Sequence, residues 1–437
     1  MAIKKQMNLS EYIRNKLFWA VDRARGCHIR KHVKDLDFCF SDPQEGRKKA
    51  QKRLTEFLYA ACSTTEFYKD YAGKELAEFP VIQKRTIKEN YDAFISNAYD
   101  RSKLLTTTTS GSYGMPFTFY LTTEKDARNK AEVIYFSKYA GFEVGMKFAQ
   151  IRAQKRSWLT RFMQNFYIMN PCIIDEHWLV RQRALFREKG VKFIIGYPSA
   201  IVPVVVYCRG KGDGPQDFSV IGIITSAEPY TGKVRQSFKD IFGCIVLDRY
   251  SSNEIGTISH ELYDDEVHYT NFATQKIELL EMDSDEPVTQ PGRIGRVIVT
   301  DMFSHAMPLI RYDTGDLATW AAKEKCRLDI PAFEKIEGRV VETLYSPEGK
   351  MINFSAIDII PKYFNDIIQF QFIQKTKDQY VVKLHVLDNF DQEEKLLANC
   401  RETFGPNANF TVEYVDSLDP LASGKRPYVI NEYKRKS

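Results

Sequence analysis

Thr106-Thr-Thr-Thr-Ser-Gly-Ser-Tyr-Gly-Met-Pro116 runs straight into the aromatic, β-prone segment Phe117–Leu121 and then into the charged, helix-compatible stretch 124–139. A hydroxyl- and glycine-rich loop, a short strand and a helix therefore follow one another. The same alternation extends along the chain. Segments 193–195, 219–224, 245–247 and 296–299 read as strands, with helices over 176–188 and 234–241. Strands alternating with helices predict an α/β protein with at least partly parallel sheets.

Upstream, residues 1–100 read as a mainly helical, basic lead-in, with a turn or helix start at Ser41-Asp42-Pro43. The basic runs 23–31 and 47–53 read as solvated helix faces rather than a membrane-surface site, because no Trp/Phe counter-face is evident. Downstream, strands over 368–373 and 380–386 mark a small α+β domain. The expected division is a large, multi-lobed N-terminal domain, 1–338, and a mobile C-terminal domain, 339–437, joined by a short hinge.

Composition excludes several classes. With 437 residues, 43% hydrophobic and 27% charged, the chain is neither disordered nor short of core. A net charge of +5 from 62 Lys+Arg and 57 Asp+Glu is too small for a nucleic-acid coat protein. The longest apolar runs, such as 201–207, fall far short of the ~20 residues that span a bilayer. No secretory leader is evident, and the eight cysteines form no C-x-x-C pair, so a reduced, cytoplasmic protein is expected.

Four motifs carry possible chemistry. Hydroxyls and N–H groups from Thr108 through Thr109, Ser110, Gly111, Ser112 and Tyr113 to Gly114 suit an anionic triphosphate, although a plain Ser/Thr/Gly turn stays open and no Walker A pattern fits. In Asp248-Arg-Tyr250-Ser251-Ser-Asn253-Glu254, the tyrosine offers a flat face to a base and Glu254 a carboxylate to Mg²⁺; the bland alternative is a capped turn. Asp316, after Thr314-Gly315, suits two vicinal hydroxyls, whereas Asp313 and Arg311 read equally as an ion pair. Lys425, in the turn Ser423-Gly424-Lys425, is a point charge suited to phosphate or carboxylate, or else part of a basic tail.

In order and spacing these motifs resemble the adenylate-forming superfamily of acyl-CoA synthetases, nearest the phenylacetate–CoA ligase-like branch with its CapK-like members, from about Phe79 to the C-terminus. The resemblance implies an ATP- and Mg²⁺-dependent acid ligase that forms an acyl-adenylate, releases pyrophosphate, and passes the acyl group to CoA; the alternatives are transfer to an amine in capsular polysaccharide biosynthesis, or a nucleotide-binding relative without catalysis, against which the retained Lys425, Glu254 and Asp316 argue. It implies Thr108–Gly114 as the phosphate loop and Ala227-Glu228-Pro229 as the adenine segment. Tyr250 and Ser251 belong with the base, Glu254 with the metal, Asp316 with the ribose, and Arg339 follows the hinge strand. Tyr197, Pro198, Ser199 and Ala227 line the acyl pocket, Glu342 is the pivot, and Lys425 bridges carboxylate and phosphate. A small carboxylic acid is the implied substrate, and a homodimer is compatible with the branch.

The departures are also informative. Tyr113 stands in place of Thr, Phe117 in place of Lys, and Asn253 in place of Ser/Thr before the glutamate. Some ligases of the branch bind structural zinc. Here His268 remains, but Leu262 replaces a cysteine and Cys326 stands alone where a pair is expected, so no zinc is expected. Residues 345–355 lack a CoA-binding pattern.

Overall fold

The computed structural model describes residues 7–109, 117–153, 156–230, 232–339, 343–352, 360, 367–386, 390–421 and 424–433. Its contacts divide the chain into two compact units. The first comprises Met1–Gly145 and Leu247–Ile336, the second Met146–Val246 and Glu337–Ser437.

The first unit begins with three helices, α1 (Leu9–Ala24), α2 (His28–Ser41) and α3 (Pro43–Thr64), as the basic lead-in predicts. Asp42 caps α3 by accepting from the Glu45 N–H, with Pro43 at the first helical position, where its missing N–H is no loss. A short helix, α4 (Lys84–Glu89), follows. The hairpin β1 (Leu105–Thr109) with β2 (Phe117–Leu121) then leads into α5 (Thr123–Ser137). The remainder of this unit is built of strands in the order β10-β11-β12-β13-β9-β8-β7, with neighbouring pairs antiparallel wherever their register is defined. These are β7 (Ile245–Ser252), β8 (Gly256–Glu261), β9 (His268–Thr270), β10 (Gln275–Leu280), β11 (Ile294–Asp301), β12 (Tyr312–Trp320) and β13 (Ala332–Arg339).

Helix α5 is the unit's axle. Ala131, Tyr135 and Phe136 join an apolar core that includes Phe40, Ile258, Tyr269 and Phe272. Its other buried face is charged. The Lys125 ammonium lies 2.6 Å from the Asp301 carboxylate and donates to the Ile255 carbonyl at 2.6 Å. Arg128 donates to Thr274 at 2.9 Å and to Asp35 at 2.6 Å, and Glu132 accepts from the Thr257 N–H at 3.1 Å. Burial pushes the Asp35 carboxyl up, but Arg128 and Arg53 override it and hold the group down to about 2.

The second unit contains a parallel run in the order β6-β5-β3-β4: β3 (Phe148–Ile151), β4 (Phe166–Met169), β5 (Phe193–Gly196) and β6 (Gly222–Ser226). Helices α6 (Trp158–Gln164), α7 (Glu176–Glu188), α8 (Pro198–Gly210) and α9 (Gly232–Phe242) connect or follow these strands. The apolar run 201–207 proves to be the middle of α8, whose Ile201, Val204 and Val205 are all buried. A helix apolar on nearly every side belongs inside a core. Downstream lie the short pair β14 (Leu344–Tyr345) and β15 (Met351–Ile352), and a four-stranded sheet in the order β18-β17-β16-β19 with one helix. The strands are β16 (Ile367–Gln374), β17 (Gln379–Val386), β18 (Asn409–Tyr414) and β19 (Val429–Asn431), and the helix is α10 (Glu393–Phe404). The fold is thus α/β with mixed sheets and a small α+β C-terminal part.

The Lys125–Asp301 pair gives a direct test. Lys125→Met leaves a carboxylate buried without its cation and should cost about 3–5 kcal/mol. The double replacement Lys125→Met with Asp301→Leu should recover most of that loss. Urea unfolding midpoints of the three proteins measure both effects.

Candidate active site

Antiparallel pairing of β1 with β2 brings Thr109 opposite Phe117, so the two ends of the hydroxyl-rich loop are clamped together. Thr108 is fixed again at its carbonyl, which accepts from the Asn253 side-chain amide at 3.1 Å. Asn253, a departure from the family pattern, therefore ties the turn bearing Glu254 to the base of that loop. Ser110, Gly111, Ser112, Tyr113, Gly114 and Glu342 lie outside the described residues, as do the side chains of Thr109 and Arg339.

Tyr250 and Ser251 lie on β7 at a shift in its register with β8, where Ser251 pairs with Thr257. The Tyr250 hydroxyl donates to the Asp316 carboxylate at 2.5 Å. Asp316 sits just beyond Gly315, whose φ of +77° opens the turn in β12. Asp313 is held by Arg296 at 2.7 Å, whereas Arg311 pairs with Glu278 at 3.4 Å, so the suggested Arg311–Asp313 ion pair gives way to two separate ones.

Glu254 is buried. Its Oε1 accepts from the Tyr312 hydroxyl at 3.1 Å and lies 3.4 Å from the Lys84 ammonium. Burial first, and then the Glu254 charge, push the Tyr312 phenol well above its usual range. Neither Lys84 nor Tyr312 was singled out from sequence. Lys84 lies in a six-residue helix without a motif, and Tyr312 reads as an ordinary strand aromatic.

The second unit gathers the other expected residues. Gly196 ends β5, Tyr197 precedes α8, and Pro198 and Ser199 form its first turn. Ala227 follows β6 in the left-handed region, at φ +70°, a conformation uncommon for a residue with a side chain and often met at functional sites. Next to it, Glu228 is buried against the start of α8. It accepts from the Ser199 hydroxyl at 2.9 Å and the Ser199 N–H at 3.0 Å, and from the Arg426 N–H at 3.3 Å. The positive end of a helix is a natural seat for a carboxylate. Pro229 lies next in chain to this carboxylate.

Lys425 is set by its neighbours. Gly424 has φ +85°, and a Cβ there would come within 2.4 Å of the Pro171 ring. The Arg426 guanidinium donates to the carbonyls of Pro171 at 2.5 Å and Leu418 at 2.8 Å. Between them, the Lys425 ammonium lies 5.8 Å from the Tyr197 ring centre. The residues expected to line an acyl pocket and the expected catalytic lysine therefore share one neighbourhood within this unit.

His260 and His268 have structural surroundings. His260 stacks on Phe136 and hydrogen-bonds the Glu261 carbonyl at 2.5 Å; burial lowers its pKa to about 3. His268 lies 3.7 Å from Asp248 and 3.5 Å from Glu261, and Leu262 is buried in the core.

Glu228 supplies a pH-dependent test. Burial raises its carboxyl above the ordinary 4.5, while Ser199 and the Lys425 charge pull the other way. The fold therefore holds the proton better than the unfolded chain does. The stability this contributes is full below pH 4.5 and is lost as pH rises through the folded value. Ser199 limits that loss by donating to the charged form. Ser199→Ala should cost about 1–3 kcal/mol at neutral pH and less in acid, where the carboxyl is protonated. Urea midpoints at the two pH values read the difference.

The chain has relatives of known sequence and known structure. The CapK C-terminal domain family matches residues 344–432. Protein CapK of Staphylococcus aureus is 26% identical over an alignment covering 98% of this chain and 97% of that protein. A phenylacetate-coenzyme A ligase of Thermus thermophilus is 28% identical over 155 residues, 33% of each chain. The fold is similar to that of 2-hydroxyisobutyryl-CoA ligase in the postadenylation state, with a TM-score of 0.71, 15% identity, and coverage of 88% of this chain and 89% of that one. In sequence the chain is thus similar to CapK along nearly its whole length and to phenylacetate-coenzyme A ligases over part of it, and its fold is that of the adenylate-forming CoA ligases.

Proposed function

We propose that this protein is an ATP-dependent acid ligase that activates a carboxylic acid as its acyl-adenylate and passes the acyl group to CoA. The observation that carries the reading is the cluster in the first unit. The Tyr250 hydroxyl is bonded to Asp316, and Glu254 is fixed by Tyr312 and Lys84 on a turn tied to Thr108. A flat aromatic face, a carboxylate suited to vicinal hydroxyls and a loop suited to phosphates are the parts an adenine nucleotide requires.

In this reading the Tyr250 ring covers the base, with Ser251 beside it, and the adenine edge meets the segment Ala227-Glu228-Pro229. Asp316 accepts from the ribose hydroxyls, and Thr108 to Gly114 donate to the phosphates. Arg339, the last residue of β13, acts on the nucleotide. Glu254 would hold Mg²⁺. One buried carboxylate, completed by triphosphate oxygens and water, is the donor set this ion takes. The ion would offset the charge of the phosphates.

Tyr197, Pro198, Ser199 and Ala227 receive the acid. One of its carboxylate oxygens attacks the α-phosphorus, the bond to the bridging oxygen breaks, and pyrophosphate leaves. Lys425 lies between the two anions and stabilises the charge that builds there. The C-terminal part then turns about residues 339–342 to admit the acceptor. Protection of that segment from proteolysis by ATP would test the movement; unchanged cleavage would sink it.

A second reading keeps the first step and gives the acyl group to an amine. The absence of a CoA-binding pattern in 345–355 favours it. Pyrophosphate release with a panel of carboxylic acids, with and without CoA, decides between the two. Lys425→Ala should lower adenylation by ~100–1000-fold, while transfer from a pre-formed acyl-adenylate falls far less. Equal loss in both steps would remove Lys425 from its assigned role.

A further inference from the structure

Helix α1 presents its apolar side to solvent. Leu9, Ile13, Leu17 and Val21 recur every four residues along one stripe, with Tyr12 beside them, and all five are exposed: Leu9 by 75% and Leu17 by 58%. The polar side faces inward. Glu11 and Asn8 cap the helix reciprocally at 2.9 and 3.0 Å, and Asn15 donates to the Val144 carbonyl at 2.9 Å. Asp22 accepts the Ile29 and Arg30 N–H groups at 2.9 and 3.0 Å. Gly145 fixes this orientation: a Cβ there would come within 2.4 Å of the Glu11 carbonyl and 2.8 Å of the Asn15 nitrogen. The outward apolar stripe is therefore dictated by how the helix is anchored.

The charge along this segment is mostly basic, although Lys31 lies 3.3 Å from the exposed Glu124 carboxylate. Between Asn8 and Lys34 stand seven Lys/Arg residues and two acids, an excess equal to the +5 of the whole chain. Both acids, Glu11 and Asp22, are buried, whereas Lys16, Arg23, Arg25, Arg30, Lys31 and Lys34 are exposed. The counter-face that the sequence did not show for the run 23–31 is this stripe.

We propose that α1 lies in the headgroup layer of an anionic lipid surface, with Leu9, Ile13, Leu17 and Val21 inserted and the surrounding Lys/Arg residues on the lipid phosphates. A helix with an aliphatic and aromatic face, bordered by basic side chains, seats itself parallel to such a surface at a depth of about 5–10 Å. A second copy of this chain is a poorer occupant, because a two-fold contact through α1 sets like charges against one another. The second unit independently repeats the chemistry. In α6, Trp158 is 70% exposed, with exposed Leu159, Phe162 and Met163 on one arc and Arg156 and Arg161 nearby. No helix among the described residues is long and apolar enough to cross a membrane.

The full chain sedimented with vesicles tests this. It should bind vesicles of phosphatidylcholine mixed with phosphatidylglycerol, bind phosphatidylcholine alone far more weakly, and be released by high salt. Ile13→Glu with Leu17→Glu should weaken binding by on the order of 10-fold or more. Arg23→Gln with Arg25→Gln should weaken it by several-fold, leaving the urea midpoint unchanged. The proposal is overturned by absent or charge-independent lipid binding, by binding indifferent to both variants, or by a dimer in solution that Leu17→Glu dissociates.

Discussion

A single buried ammonium ties the first unit together. Lys125, on the first turn of α5, lies 2.6 Å from Asp301 and 2.6 Å from the Ile255 carbonyl, and neither charged side chain is exposed. Ile255 directly follows Glu254, and Asp301 ends β11, the partner of the strand that carries Asp316. One side chain thus ties the glutamate turn to the sheet. An ion pair in a dry interior tolerates little displacement, since the desolvation of both charges must be offset by good geometry. This restricts the turn more tightly than apolar packing would.

The second unit is governed by a different carboxylate. Glu228 gathers the start of α8, the strained Ala227 and the turn that carries Lys425. Because burial opposes its charge, donors at Ser199 and Arg426 are required rather than incidental. Lys425 is held by small geometric necessities on either side: a glycine packed against Pro171 and an arginine spending its donors on backbone carbonyls.

The sequence was most legible where one period dominated. Helix α7 and strand β2 fall on their predicted spans, and β16 and β17 lie within a residue of theirs. The strands from β8 to β13 were largely missed, apart from the middle of β11. Ser259, His260 and Glu261 are buried in β8, so polar letters occupy core positions and the alternation vanishes. β6 lies at Gly222–Ser226, later than the expected 219–224, because its last residues read as a polar loop. The motif residues Tyr250, Glu254 and Asp316 could be singled out because the roles proposed for them demand particular side chains at particular intervals. Lys84, Tyr312 and the inverted face of α1 were not, since each acquires its meaning only from a neighbour distant in the chain.

The central claim is that a carboxylate oxygen attacks the α-phosphorus of ATP. It is tested most directly by isotope transfer. With an ¹⁸O-labelled carboxylic acid that supports turnover, the AMP released after acyl transfer should carry one oxygen from the acid, and the pyrophosphate none. Label-free AMP, or ADP and phosphate in place of AMP and pyrophosphate, would contradict the account.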